Sequence, residues 1–147
     1  MSSGELRKEI AGRFGDFFSR RGFVETYYFY DEKSFGNEIL EFAGPEGIKL
    51  RFVRDRSQIF ADIAPSKMNY ILIDHLLQLL GIERFDYGGP DGNPAYGMPA
   101  ALEDQIKKGF DDVLALIRAE NLSTTRARLD QLYREIERSW EAPTSAT

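Results

Sequence analysis

The chain has 147 residues, of which 42% are hydrophobic and 29% charged, with a net charge of −5 and a pI near 5.0. That composition is globular rather than disordered, and a chain of this length buries enough surface to fold as one α+β domain without a staple. It has no cysteine, which excludes disulfides, thiol catalysis and cysteine-ligated zinc, and the acidic balance argues against a nucleic-acid binder.

Ser2 and Glu5 stand at capping-box spacing. Leu6, Ile10, Phe14 and Phe17/Phe18 then recur at helical intervals as far as Gly22, which suits a left-handed stop. Four strands of an antiparallel meander are predicted near 23–30, 36–43, 47–54 and 57–63. In "AGPEGI", Pro45 and Glu46 suit the centre of a type I turn with Gly47 left-handed after it. That loop pairs Phe42 with Leu50, Leu40 with Phe52 and Glu41 with Arg51.

A second turn centred on Asp55-Arg56 pairs Phe52 with Ile59, Leu50 with Ala61 and Ile48 with Ile63, and on the opposite face Lys49 with Asp62. Both hairpins assign Leu50 and Phe52 to the buried face. The first strand, "FVETYYFY", has aromatics on both faces, so its period does not orient it.

Three helices are expected to follow and to pack on one face of the sheet. The helix at 66–80 is apolar over most of its circumference and ends at Gly81. The helix at 99–120 opens on Pro99 and carries Leu102, Ile106, Phe110, Val113/Leu114 and Ile117. The last, at 123–140, follows a Ser123-Thr124-Thr125 cap and is expected to bury Leu129, Leu132/Tyr133, Ile136 and Trp140. Residues 141–147 are expected to fray. No run of 18 apolar residues exists to span a membrane, and the N-terminus has no apolar signal core. A cytoplasmic protein is expected, in which the sequon Asn121-Leu122-Ser123 is chance or a helix cap.

The candidates for chemistry are few. His75 is the only histidine, so no histidine metal centre, no metal and no cofactor are expected. No G-x-S-x-G or phosphate-loop pattern occurs. The carboxylate pairs Glu103-Asp104 and Asp111-Asp112 fall on solvated helix faces. The glycine-rich stretch 84–97 is a long connection in which Asp86, Tyr87, Asp91, Asn93 and Tyr96 would close over a small molecule beside His75, if the chain were a ligand binder or an enzyme. The basic cluster Lys49, Arg51, Arg54 and Arg56 is read as lying on and beyond one hairpin, paired with Glu41, Asp62 and Glu38 on a solvated sheet face. Ile39, Val53 and Phe60 share that face, and apolar and charged groups mixed in this way suit a protein interface.

The run "FGNEILEFAGPEGIKLRFVRDRSQIFADIA", residues 35–64, resembles a pattern in small bacterial cytoplasmic proteins, many of them uncharacterised or of immunity type. The resemblance implies a non-catalytic domain that binds and blocks a partner toxin. The residues expected at the interface are Lys49, Arg51, Arg54, Arg56 and Phe60. Given the charge, the partner expected is another protein of basic character, not nucleic acid or membrane. Pairing of two copies through an aromatic strand or an open sheet edge is a further expectation.

Overall fold

A computed structural model describes residues 4–33, 36–56, 58–82 and 98–141. Its elements in chain order are α1 (Glu5–Ser19), β1 (Val24–Asp31), β2 (Asn37–Ala43), β3 (Lys49–Asp55), β4 (Gln58–Ala64), β5 (Ile71–Leu72), α2 (Ile73–Leu79), α3 (Ala100–Ile117) and α4 (Ala119–Glu141). The strands form one antiparallel sheet in the order β1-β2-β3-β4-β5. The fold is α+β as expected, with five strands rather than four. No described helix is long and apolar enough to cross a membrane.

Strand alternation divides the sheet into two faces. Leu40, Leu50, Phe52, Ile59, Ala61 and Ile63 point inward and are buried. Onto them α1 lays Leu6, Ile10, Phe14 and Phe18, spaced four apart along one helical stripe. The rings interlock. Phe14 and Phe18 lie 5.6 and 5.8 Å from Phe52, and Phe110 of α3 closes on Phe18 at 5.2 Å. Each such buried side chain stabilises the fold by roughly 1.5–3 kcal/mol. α2 adds Ile73, Leu76 and Leu77 to the same cluster. α4 lies on α2 and α3 rather than on the sheet, which corrects the expected packing.

The first hairpin keeps the expected register, with Phe42 opposite Leu50, Leu40 opposite Phe52 and Glu41 opposite Arg51. Its turn differs. Glu46 (φ 59) and Gly47 (φ 76) are both left-handed, and the Ile48 N–H donates to the Pro45 carbonyl at 3.1 Å. This primed arrangement matches the right-handed twist of the strands better than a type I turn on Pro45-Glu46.

In the second hairpin the expected register is wrong by two residues. Phe52 faces Ala61, Leu50 faces Ile63 and Arg51 faces Asp62. The turn lies one residue later, with Arg56 left-handed (φ 52). Asn37 pins it there: its Oδ1 accepts the Arg56 N–H at 3.1 Å and its Nδ2 donates to Asp55 at 3.4 Å. A slip of two leaves every side chain on its face, so Leu50 and Phe52 are buried as expected.

β1 escapes periodic reading because of a bulge between Glu25 and Tyr27. The extra residue reverses the alternation. Val24, Tyr27 and Phe29 therefore face outward, while Glu25, Tyr28 and Tyr30 register with the inward Phe42, Leu40 and Glu38.

The helix expected at 66–80 is shorter. Ile71 and Leu72 pair with Ile63 and Asp62 as β5, and the helix proper is Ile73–Leu79. A run that is apolar on every side has no period to separate a buried strand from a buried helix. α4 begins at Ala119, so Ser123-Thr124-Thr125 lies inside it instead of capping it. Arg118, extended at ψ 151, is the only break between α3 and α4. Thr125 Oγ1 and Asn121 Nδ2 donate across that break to the carbonyls of Leu116 and Ala115. Leu129 is buried and Leu132 and Ile136 are half-buried, but Tyr133 is 36% and Trp140 74% exposed, against expectation.

Candidate functional site

The outer face of the sheet is built by four strands in register. Phe29 lies opposite Ile39, Ile39 opposite Val53, and Val53 opposite Phe60, which gives one apolar row across β1 to β4. Ile39, Val53 and Phe60 are half-buried and Phe29 is 45% exposed. On the side toward the β2–β3 turn runs a row of Tyr27, Glu41, Arg51 and Asp62. On the other side lie Asp31, Asn37, Asp55 and Gln58.

The charged row is bonded partly within itself and partly to Tyr70. The Arg51 Nε and Nη2 both donate to Asp62 Oδ2, at 3.0 and 2.5 Å, and the guanidinium lies 4.0 Å from the ring centre of Tyr70. The Tyr70 hydroxyl donates to Glu41 at 3.2 Å. Burial and then the Glu41 charge push the Tyr70 phenol up to about 12.

The predicted interface residues divide. Lys49 is exposed at the end of β3, Arg51 stands in the charged row and Phe60 in the apolar row. Arg56 is exposed at the turn, 4.0 Å from Asp55. Arg54 and Glu38 do not belong to this face. They occupy the same alternation as Leu50, Phe52 and Leu40, and so point inward.

There Glu38 is 1% exposed and accepts from Arg54 Nη1 at 3.0 Å, from the Tyr28 hydroxyl at 2.5 Å and from the Leu6 N–H at 3.3 Å. The Gly4 N–H donates in turn to Tyr28 Oη at 2.7 Å. Ser2 lies outside the described residues and the helix cap is Gly4, so a carboxylate from β2 serves the start of α1 in place of the expected capping box. Glu5 and Glu9 flank Arg54 at 3.5 and 3.6 Å.

His75, half-buried on α2, sets Nδ1 3.1 Å from the Tyr133 hydroxyl, with its ring edge-on to the tyrosine at 5.2 Å. Asp86, Tyr87, Asp91, Asn93 and Tyr96 lie outside the described residues. Two of the helix-face carboxylates, Glu103 and Asp111, are held in ion pairs. Lys107 and Arg13 bind Glu103 at 2.8 and 2.6 Å, and Arg21 binds Asp111 at 2.7 Å. The hydrogen bond from Lys107, followed by that from Arg13, holds Glu103 below the ordinary carboxylate range, and the one from Arg21 does the same for Asp111. A cleft of about 490 Å³ is lined by Arg13, Arg20, Arg21 and Lys107 together with Asp16, and three of those cations are the ones held in these ion pairs. Among the described residues no group of three or more acidic or histidine side chains is placed to hold a metal ion. No family model, curated protein or solved structure matches the chain.

Proposed function

We propose that the chain is a non-catalytic protein-binding domain that meets its partner with the outer face of the sheet, and that it acts in the manner of an immunity-type protein by covering a toxin. The apolar row Phe29, Ile39, Val53 and Phe60 carries this reading. Four apolar residues on successive strands form a contiguous stripe, of which Phe29 is 45% exposed and the other three are half-buried. Tyr27 and Phe29, 48% and 45% exposed, supply the kind of aromatic anchors that concentrate binding energy. Glu41, Arg51 and Asp62 form a polar rim in which Arg51 is paired with Asp62 and Glu41 is hydrogen-bonded to Tyr70. The net charge of −5 favours a basic partner.

The test is calorimetric binding to the product of the neighbouring gene, with Phe29→Ser and Val53→Thr as outer-face variants and Lys108→Ala on α3 as control. We expect each outer-face change to weaken binding about tenfold or more and the control to leave it unchanged. A neighbouring product that does not bind, or that binds all three variants alike, refutes the proposal.

A further inference from the structure

The apolar row of the outer face begins at the rim of the sheet. β1 is the terminal strand and no described strand lies beyond it, while the opposite edge is only the two residues of β5. A terminal strand offers another chain a row of backbone donors and acceptors, and natural edges are commonly blunted by proline or lysine. β1, "VETYYFYD", has neither. Its one irregularity is the bulge between Glu25 and Tyr27, close to its start. Val24, Tyr27 and Phe29 are 66%, 48% and 45% exposed, so this edge is apolar as well as terminal.

Past the bulge, the five residues Tyr27–Asp31 pair with β2 without a break, and their centre is Phe29. A second copy laid antiparallel on this stretch, with Phe29 opposite Phe29, uses all of it and meets neither bulge. Tyr27 then opposes Asp31 of the second copy, and Tyr28 opposes Tyr30. Opposed residues must share a face, and these do: Tyr27, Phe29 and Asp31 are outward, Tyr28 and Tyr30 inward. Cross-strand aromatic pairs of this kind stabilise a ladder. An axis through Tyr28 would instead carry the pairing into both bulges and set Asp31 against Glu25, acid against acid. With the axis at Phe29, Glu25 is left to Arg7, whose Nε and Nη2 donate to it at 3.0 and 2.6 Å.

Such an axis stands perpendicular to the sheet, so both outer faces point the same way. The apolar row of one copy then runs on into that of the other, from Phe60 through the two Phe29 rings to the second Phe60. This is the self-complementarity a symmetric pair requires, in which residue i meets j while j meets i. A strand of unrelated sequence would not reproduce it. A contact of five residues a side falls in the smallest class of interface, below about 1,200 Å² in total, so the dimer forms as concentration rises.

We infer that β1 is a self-association edge, along which two copies pair antiparallel through Tyr27–Asp31 about a two-fold axis at Phe29. The pairing is independent of the partner binding proposed for the outer face. Sedimentation velocity from low to high micromolar protein is expected to show monomer giving way to dimer. Phe29→Lys sets two ammonium groups across the axis and is expected to weaken dimerisation about tenfold or more. Val53→Thr, in the same row but two strands inside the edge, leaves dimerisation unchanged although it weakens partner binding. The chain has no cysteine of its own, so Phe29→Cys reads the register directly. Opposed Cα atoms lie about 4.5–5.5 Å apart, within disulfide range, and air oxidation is expected to join this variant into a covalent dimer. In Tyr27→Cys the two positions lie about 13 Å apart along the strands, out of reach, and the variant stays a monomer on a non-reducing gel. Monomer at every concentration, undiminished dimer in Phe29→Lys, or equal crosslinking of the two cysteine variants would each overturn the inference.

Discussion

Arg54→Met tests the account of the buried charges most severely. The Arg54 side chain is 5% exposed and lies within 3.0 Å of Glu38, 3.5 Å of Glu5 and 3.6 Å of Glu9. Glu9 Oε1 is buried and makes no hydrogen bond; Arg54 is the cation that faces it, while Arg13 stands 3.8 Å from Glu9 Oε2. Methionine matches the length of the arginine stem but leaves three carboxylates facing one another, one of them 1% exposed. Removing one partner of a buried pair costs about 3–5 kcal/mol, which for a chain of this size lowers the melting temperature by roughly 6–20 °C.

Glu38→Gln keeps a carbonyl oxygen for Tyr28 or Leu6 while removing the charge. The double variant should then cost clearly less than the sum of the two single ones, by about 1–2 kcal/mol. Urea and thermal unfolding at neutral pH, followed by far-ultraviolet circular dichroism, give all four corners of the cycle. If Arg54→Met costs under about 1 kcal/mol, or if the double variant is additive to within about 0.5 kcal/mol, the cluster is not a coupled buried network.

Two further outcomes follow from packing and titration. A methyl group at Gly109 would collide with Leu77 Cδ2 and stand 2.8 Å from Ile82 Cδ1; Gly109→Ala should therefore lower the unfolding free energy measured in urea by a net of about 1–2 kcal/mol, despite its better helix propensity, and a neutral result would mean that α2 and α3 are not in this contact. Because Tyr70 ionises near 12 when folded and near 10.0 when free, its contribution to stability is complete below pH 10 and is lost as pH rises toward 12. Tyr70→Phe should flatten that alkaline limb, and an unchanged limb would contradict the burial assigned to it.

The helices and the inner face of the sheet were legible because each rests on a repeat that water enforces: Leu6, Ile10, Phe14 and Phe18 on α1, Leu50 and Phe52 on β3. What escaped has specific causes. The register of β3 against β4 depends on the backbone of a single turn residue, Arg56, and on an amide nineteen residues earlier. Arg54 shares the parity of Leu50 and Phe52, so the alternation carried the signal that it points inward. Charge alone suggested the opposite, and pairing with Glu38 outweighs the usual preference for water. β5 was hidden in an apolar run without period. Periodicity also placed Trp140 on the apolar stripe of α4, correctly as to side, but it does not tell whether anything lies opposite. The outer row was half visible: Ile39, Val53 and Phe60 were assigned to one face, while Phe29 joins them only through the bulge in β1.

The exposed end of α4 also determines how the molecule can be watched. Trp140 is the sole tryptophan, and it sits outside the core, in which every fully buried ring among the described residues is a phenylalanine. Its emission should be that of a hydrated indole even in the native state and should change little while the phenylalanine cluster melts. Tryptophan fluorescence therefore follows the last turns of one helix, or a molecule that lands on them, and is almost blind to whether the rest of the protein is folded.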